Sequence, residues 1–67
     1  MSIAKTIELV STSTKSFDDA IHDGISRACK TLENVKGAWI QDQEVAILEG
    51  QITEYRVRLK VTFVLND

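Results

Sequence analysis

Tyr55-Arg56-Val57-Arg58-Leu59-Lys60-Val61-Thr62-Phe63-Val64-Leu65 is the stretch on which the fold turns. Tyr55, Val57, Leu59, Val61, Phe63 and Leu65 fall on one side of a period of two. Glu54, Arg56, Arg58, Lys60, Thr62 and Val64 fall on the other. Side chains of a strand alternate between faces, so this is the pattern of a long strand with one face in a core.

Upstream, Glu49-Gly50 stands where a tight hairpin turn places a glycine. Before it, Ala38, Ile40 and Ala46 alternate, less regularly, with Trp39, Gln41, Gln43 and Val45 as far as Leu48. A second strand is expected there, antiparallel to the first. If Glu49-Gly50 is a two-residue turn, Gln43 lies opposite Arg56, Gln41 opposite Arg58, and Trp39 opposite Lys60; a bulge would shift this register.

At the other end, Ile3, Lys5, Ile7 and Leu9 alternate with Ala4, Thr6, Glu8 and Val10, which predicts a strand. Ser11 to Ser16 then reads as a hydroxyl-rich connection, its side chains competing for backbone hydrogen bonds. Ser16 followed by Asp19 resembles a capping box with a short acid. Phe17, Ala20, Ile21, Gly24, Ile25, Ala28, Cys29 and Leu32 follow at helical spacing. Asp18 and Asp19 near the start, and Lys30 and Lys36 towards the end, suit the helix dipole.

The expected architecture is α+β: a β-α-β-β chain with one helix across a three-stranded antiparallel sheet. One helix covers one face. The other, carrying Gly37, Trp39, Gln41, Gln43, Arg56, Arg58 and Lys60, is left for solvent or assembly.

Residues 1–67 make one domain, without proline, repeat or linker. So short a chain hides only about 60% of the surface its unfolded form exposes. Small folds recruit disulfides, metals or partner subunits. Cys29 is the sole cysteine and His22 the sole histidine, so a disulfide framework or Cys/His zinc site within one chain is excluded. Subunit association remains, and a homo-oligomer is expected. Eight basic against ten acidic residues give no general electrostatic reason to bind nucleic acid or an anionic membrane. No apolar run approaches the roughly 20 residues of a membrane span, and the first residues form no signal-peptide pattern, so a cytoplasmic location is expected.

Trp39 falls on the polar side of its strand, and two readings are open. It caps a subunit interface, lying under the stems of Arg58 and Lys60, or it is a stacking platform for a flat ligand. Arg56, Arg58 and Lys60 form a cationic stripe that could hold phosphate or a neighbour's carboxylates, or could be a salt-bridged solvent face. His22 is expected exposed on the helix, and Cys29 a small buried hydrophobe. Asp42, Glu44, Glu49 and Glu54 could bind a hard cation such as Ca²⁺, with any site shared between subunits, although no EF-hand spacing is present. No catalytic constellation stands out, and the chain is read as a non-enzyme.

The segments Ile7 to Ser13, Ser16 to Ala20, Arg27 to Asn34, Asp42-Gln43 and Glu54-Tyr55 through Leu65, in this order and spacing, resemble the dodecins. The resemblance implies a sheet wrapped around one helix, assembled as a hollow homo-dodecamer, and flavins stacked in pairs between tryptophans with a glutamine on the last strand. The family's tryptophan position corresponds to Gly37, with Trp39 two residues further along the same face, and its glutamine position to Arg56. Both main flavin determinants therefore differ. A dodecin subgroup without the tryptophan and with arginine after the tyrosine is similar in these respects, and a member of it looks like a calcium-binding assembly. The expectation is a non-catalytic homo-oligomer, dodecameric by resemblance, that binds or sequesters a small ligand through Gly37, Trp39, Gln43 and Arg56. A structural oligomer or a calcium-binding variant without flavin is the alternative.

Overall fold

The alternating C-terminal stretch forms the central strand of the sheet. In the computed structural model, which describes residues 3–65, the elements are β1 (Ile3–Ser13), α1 (Phe17–Thr31), β2 (Val35–Leu48) and β3 (Gln51–Leu65). The sheet order is β1-β3-β2, with both neighbours antiparallel to β3. This is the expected β-α-β-β architecture. Met1, Ser2, Asn66 and Asp67, part of the expected domain, lie outside the described residues.

The helix begins where the capping pattern placed it. Ser16 is extended, and its hydroxyl accepts the backbone N–H of Asp19 at 3.0 Å, satisfying one of the donors that a helix N-terminus otherwise leaves open. The helix ends at Thr31, and the Leu32 N–H donates to the Ala28 carbonyl at 2.9 Å. Lys36 therefore belongs to β2, not to the helix end, and Lys30 is the base of the last turn. A left-handed residue, Asn34 (φ 60°), starts the next strand; asparagine tolerates that conformation better than most side chains.

β1 is longer than predicted. Ser11, Thr12 and Ser13 continue the ladder opposite Val57, Arg56 and Tyr55 instead of forming a loose connection. Their hydroxyls do not dissolve the strand because the helix engages them. Ser11 Oγ donates to the Ala20 carbonyl at 2.6 Å, and Ser13 Oγ donates to Asp19 Oδ2 at 2.6 Å while accepting the Lys15 N–H at 2.9 Å.

The core lies between α1 and the face of β3 that carries Val57, Leu59 and Val61, all fully buried with Ala20. Phe17, Ile21, Ile25 and Ile40 pack around this centre, and Phe17 meets Tyr55 edge-to-face at 5.1 Å. Small helix residues set the approach: a Cβ on Gly24 would lie 2.9 Å from Leu59 Cδ1 and 3.1 Å from Ser11 Cβ. The helix rests chiefly on β1 and β3 and barely touches β2. Cys29, on the β2 side of the apolar stripe, is consequently exposed, contrary to expectation, over a gap the helix does not close. His22 is exposed as expected. No helix among the described residues is long and apolar enough to cross a membrane.

Candidate functional site

The uncovered sheet face is built by β3 with a neighbour on each side. The hairpin turn is as predicted: Glu49 (φ 53°) and Gly50 (φ 79°) are both left-handed, as a two-residue type I′ loop demands. Leu48 accordingly pairs with Gln51 and Ile47 with Ile52.

The simple register does not continue. Between Ala46 and Ile47 it slips, because Ala46 pairs with Glu54 and Thr53 is the extra residue on β3. Glu44 thereby comes opposite Arg56 and Asp42 opposite Arg58, where Gln43 and Gln41 were expected. A second bulge, at Gln41 on β2, cancels the first: Ile40 pairs with Leu59, and Trp39 faces Lys60 as expected. A one-residue slip moves a side chain to the opposite face. Gln43 now pairs with Val57 and belongs to the helix side, where it is exposed because the helix leaves β2 largely uncovered.

Asp42 and Glu44 therefore share the face of Trp39 and the cationic stripe. Arg58 donates from its guanidinium to Asp42 Oδ2 at 3.3 Å. Arg56 Nε donates to Glu54 Oε2 at 3.2 Å, with Glu44 Oε1 at 4.0 Å from its other side. These side chains are roughly half exposed, so each pair stabilises the fold by about 0.2–1 kcal/mol at most. Their larger effect is on charge. With Glu8 opposite Lys60 on β1, this face carries acids and bases in near balance.

Trp39 stays 64% exposed. Lys60 Nζ lies 5.4 Å from its ring centroid, a cation–π contact of about 0.5–1 kcal/mol at such a site. Arg58 is paired with Asp42. Gly37, opposite Thr62 on the same face, has open space where a Cβ would stand, with nothing within 4 Å. Gly37, Trp39 and Arg56 thus share one face, with Arg58 and Lys60, and Gln43 is separated from them. Asp42 and Glu44 were expected only as possible cation ligands near the hairpin; their place on the face of Trp39 had no local signal, since neither bulge carries a glycine or proline.

Among the described residues, the two best-formed grooves are not lined by Trp39. One of about 260 Å³ lies among Thr31, Leu32, Asn34 and Phe63. The other, about 220 Å³, lies between α1 and β2 among Ile25, Cys29, Val35, Lys36, Ala38 and Val61. Among the described residues, no three or more His, Cys, Asp or Glu side chains come together to hold a metal ion.

The dodecin family model matches residues 3–66. The chain belongs to the dodecin family. It is 33% identical over 67 residues to the calcium dodecin of Mycobacterium tuberculosis, covering 98% of this chain and 93% of that relative. It is 36% identical over 67 residues to the dodecin of Thermus thermophilus, covering 97% and 94%. A crystal structure of a Thermus thermophilus dodecin variant superposes with a TM-score of 0.93 at 33% identity over the whole of both chains. The β-α-β-β architecture is thus the dodecin fold.

Proposed function

We propose that this dodecin is a non-catalytic, cytoplasmic homo-oligomer, dodecameric like the assemblies its family resemblance implies, that binds or sequesters a small flat ligand against Trp39. The observation that carries this reading is a tryptophan 64% exposed on the sheet face that no helix covers. An open face encloses no ligand by itself, whereas a binding site normally buries most of its ligand's surface. A second protomer placing the same face opposite Trp39 supplies the missing wall, and that ties ligand binding to assembly.

Flavin is the first ligand to test. Gly37 offers no stacking surface, which forfeits about 1–3 kcal/mol if base–aromatic stacking is a guide. Arg56 has donors only, where a glutamine also accepts, and its Nε is already used by Glu54. Trp39 is the sole tryptophan, so its fluorescence reports on this face alone. Titration with riboflavin and flavin mononucleotide at micromolar concentration is expected to quench it saturably. Unquenched flavin and unquenched Trp39 would remove flavin from the reading.

A calcium-binding role is the second reading, favoured by the outward placement of Asp42 and Glu44 beside Glu54 and by kinship with a relative named calcium dodecin. Its carboxylates would come from more than one protomer. A calcium-dependent rise in melting temperature that disappears in Asp42→Asn supports it, and a rise that persists there places calcium elsewhere.

A further inference from the structure

Trp39 shares its face with a charge that nothing else engages. Lys60 lies directly across the β2–β3 ladder, half-buried on the central strand, with its Nζ 5.4 Å from the centre of the indole ring. The three bases of the stripe are held differently. Arg56 is bonded to Glu54 with Glu44 nearby, and Arg58 to Asp42, whereas among the described residues no ion pair engages the Lys60 ammonium. Glu8, opposite Lys60 on β1, is exposed and not bonded to it. The rest of the neighbourhood is small and neutral: the Thr62 hydroxyl stands 3.4 Å from that of Thr6, and Gly37, opposite Thr62, has open space above it.

We infer that Lys60 sets the charge class of the ligand: it excludes flat cations from Trp39 and admits uncharged rings. The inference rests on the reading of Trp39 as the ligand platform and adds to it the residue that selects. The π-face of an exposed indole is by itself an attractive seat for a cationic ring. Here a tethered ammonium already holds that seat. An arriving cation must displace Lys60 from the ring or stack against it across the indole, and in either case two like charges share one small site. Arg56 and Arg58, each paired with an acid, add little to that repulsion. A neutral ring meets none of it, and a carbonyl oxygen at the ring's edge gives the ammonium an acceptor, in the stronger class of hydrogen bond that a charged donor makes. Discrimination by built-in repulsion needs no close fit around the favoured ligand, which suits an open face.

The test compares the full wild-type chain with Lys60→Met, which keeps the stem and removes the charge, and with Lys60→Arg, which keeps the charge. Fluorescence of Trp39, the sole tryptophan, is quenched with caesium and with iodide, each scaled to its quenching of free tryptophan amide. Calorimetric titration then gives affinities for riboflavin, which is uncharged, and for proflavine, a cationic three-ring dye. In the wild type, caesium is expected to quench less than iodide, and riboflavin to bind more tightly than proflavine. Lys60→Met is expected to bring the two quenchers together and to shift the affinity ratio toward proflavine by about two- to fivefold, the weight of one exposed cation–π contact. Lys60→Arg is expected to keep both wild-type preferences. Caesium quenching equal to iodide in the wild type, or a riboflavin-to-proflavine ratio unchanged in Lys60→Met, overturns the role of Lys60 and leaves the ligand reading standing. Failure of all three proteins to bind either dye overturns the ligand reading of Trp39, and selection by Lys60 with it.

Discussion

Arg58 reaches Asp42 across the β2–β3 ladder at 3.3 Å only because the ladder slips at Thr53 and is restored at Gln41. Without the slip, Gln43 would face Arg56 and Gln41 would face Arg58, so both arginines would stand opposite neutral amides on β2, with Lys60 opposite Trp39 in either register. With it, acids and bases of the same chain neutralise one another beside Trp39, and the face is better suited to an uncharged flat ligand than to one bearing phosphate.

Asp42→Asn tests that balance. Breaking a half-exposed pair is expected to change folding stability by no more than about 1 kcal/mol in urea denaturation. Release of Arg58 is expected to favour flavin mononucleotide over riboflavin by up to about fivefold relative to wild type, the same energy expressed as affinity. An unchanged preference, read by Trp39 quenching, would show that the pair does not control charge at the ligand site.

Gly37→Trp should be accepted by the fold. Nothing lies within 4 Å of the position its Cβ would occupy, and an aromatic suits an exposed strand better than glycine, by up to about 1 kcal/mol. The variant is expected to bind riboflavin at least about fivefold more tightly, a gain of 1 kcal/mol at the lower end of base–aromatic stacking. A well-folded, assembled variant with wild-type affinity would place the ligand away from this face.

Gly24→Ala is expected to destabilise the protein by about 1–3 kcal/mol, because the new methyl group overpacks the helix–sheet contact. Leu59 Cδ1 at 2.9 Å and Ser11 Cβ at 3.1 Å both belong to the packed interior. Ser11 has little freedom to move, since its hydroxyl is held on the Ala20 carbonyl. Urea denaturation reads the loss, and a stability equal to wild type would mean that the helix shifts without cost.

Ser13→Ala should weaken the start of the helix by about 0.5–1.5 kcal/mol, the net contribution of a typical intramolecular hydrogen bond, since the partners of its hydroxyl are only partly buried. The Ser13 side chain joins Asp19 to the N–H groups of Lys15 and Ser16, and Ser13 is the buried polar residue of this chain's described core. Hydrogen exchange should quicken first in the Asp18–Ala20 turn. Uniform quickening across the sheet would show instead that Ser13 acts on global stability alone.

Much of this fold was legible in the chain. Tyr55 to Leu65 alternates without interruption because β3 is central and covered on one face. Ser16 and Asp19 announced the cap, and Glu49-Gly50 the turn. What stayed hidden depends on contacts between distant residues. The bulges at Thr53 and Gln41 have no glycine or proline to mark them, so Gln43 was assigned to the wrong face while Trp39, beyond both, was assigned correctly. Cys29 looked like core because an apolar stripe does not show how far the sheet extends beneath it. Ser11 to Ser13 looked like a loop because their hydroxyls suit one; here the helix backbone and Asp19 engage them.

The central claim is that the chain works as an assembly that holds a small ligand, and native mass spectrometry of the purified protein tests it most directly. The account predicts a homo-oligomer, twelve chains of 7.5 kDa or about 90 kDa, carrying extra mass from a small molecule that Trp39→Ala releases. A 7.5 kDa monomer with no bound mass would contradict it.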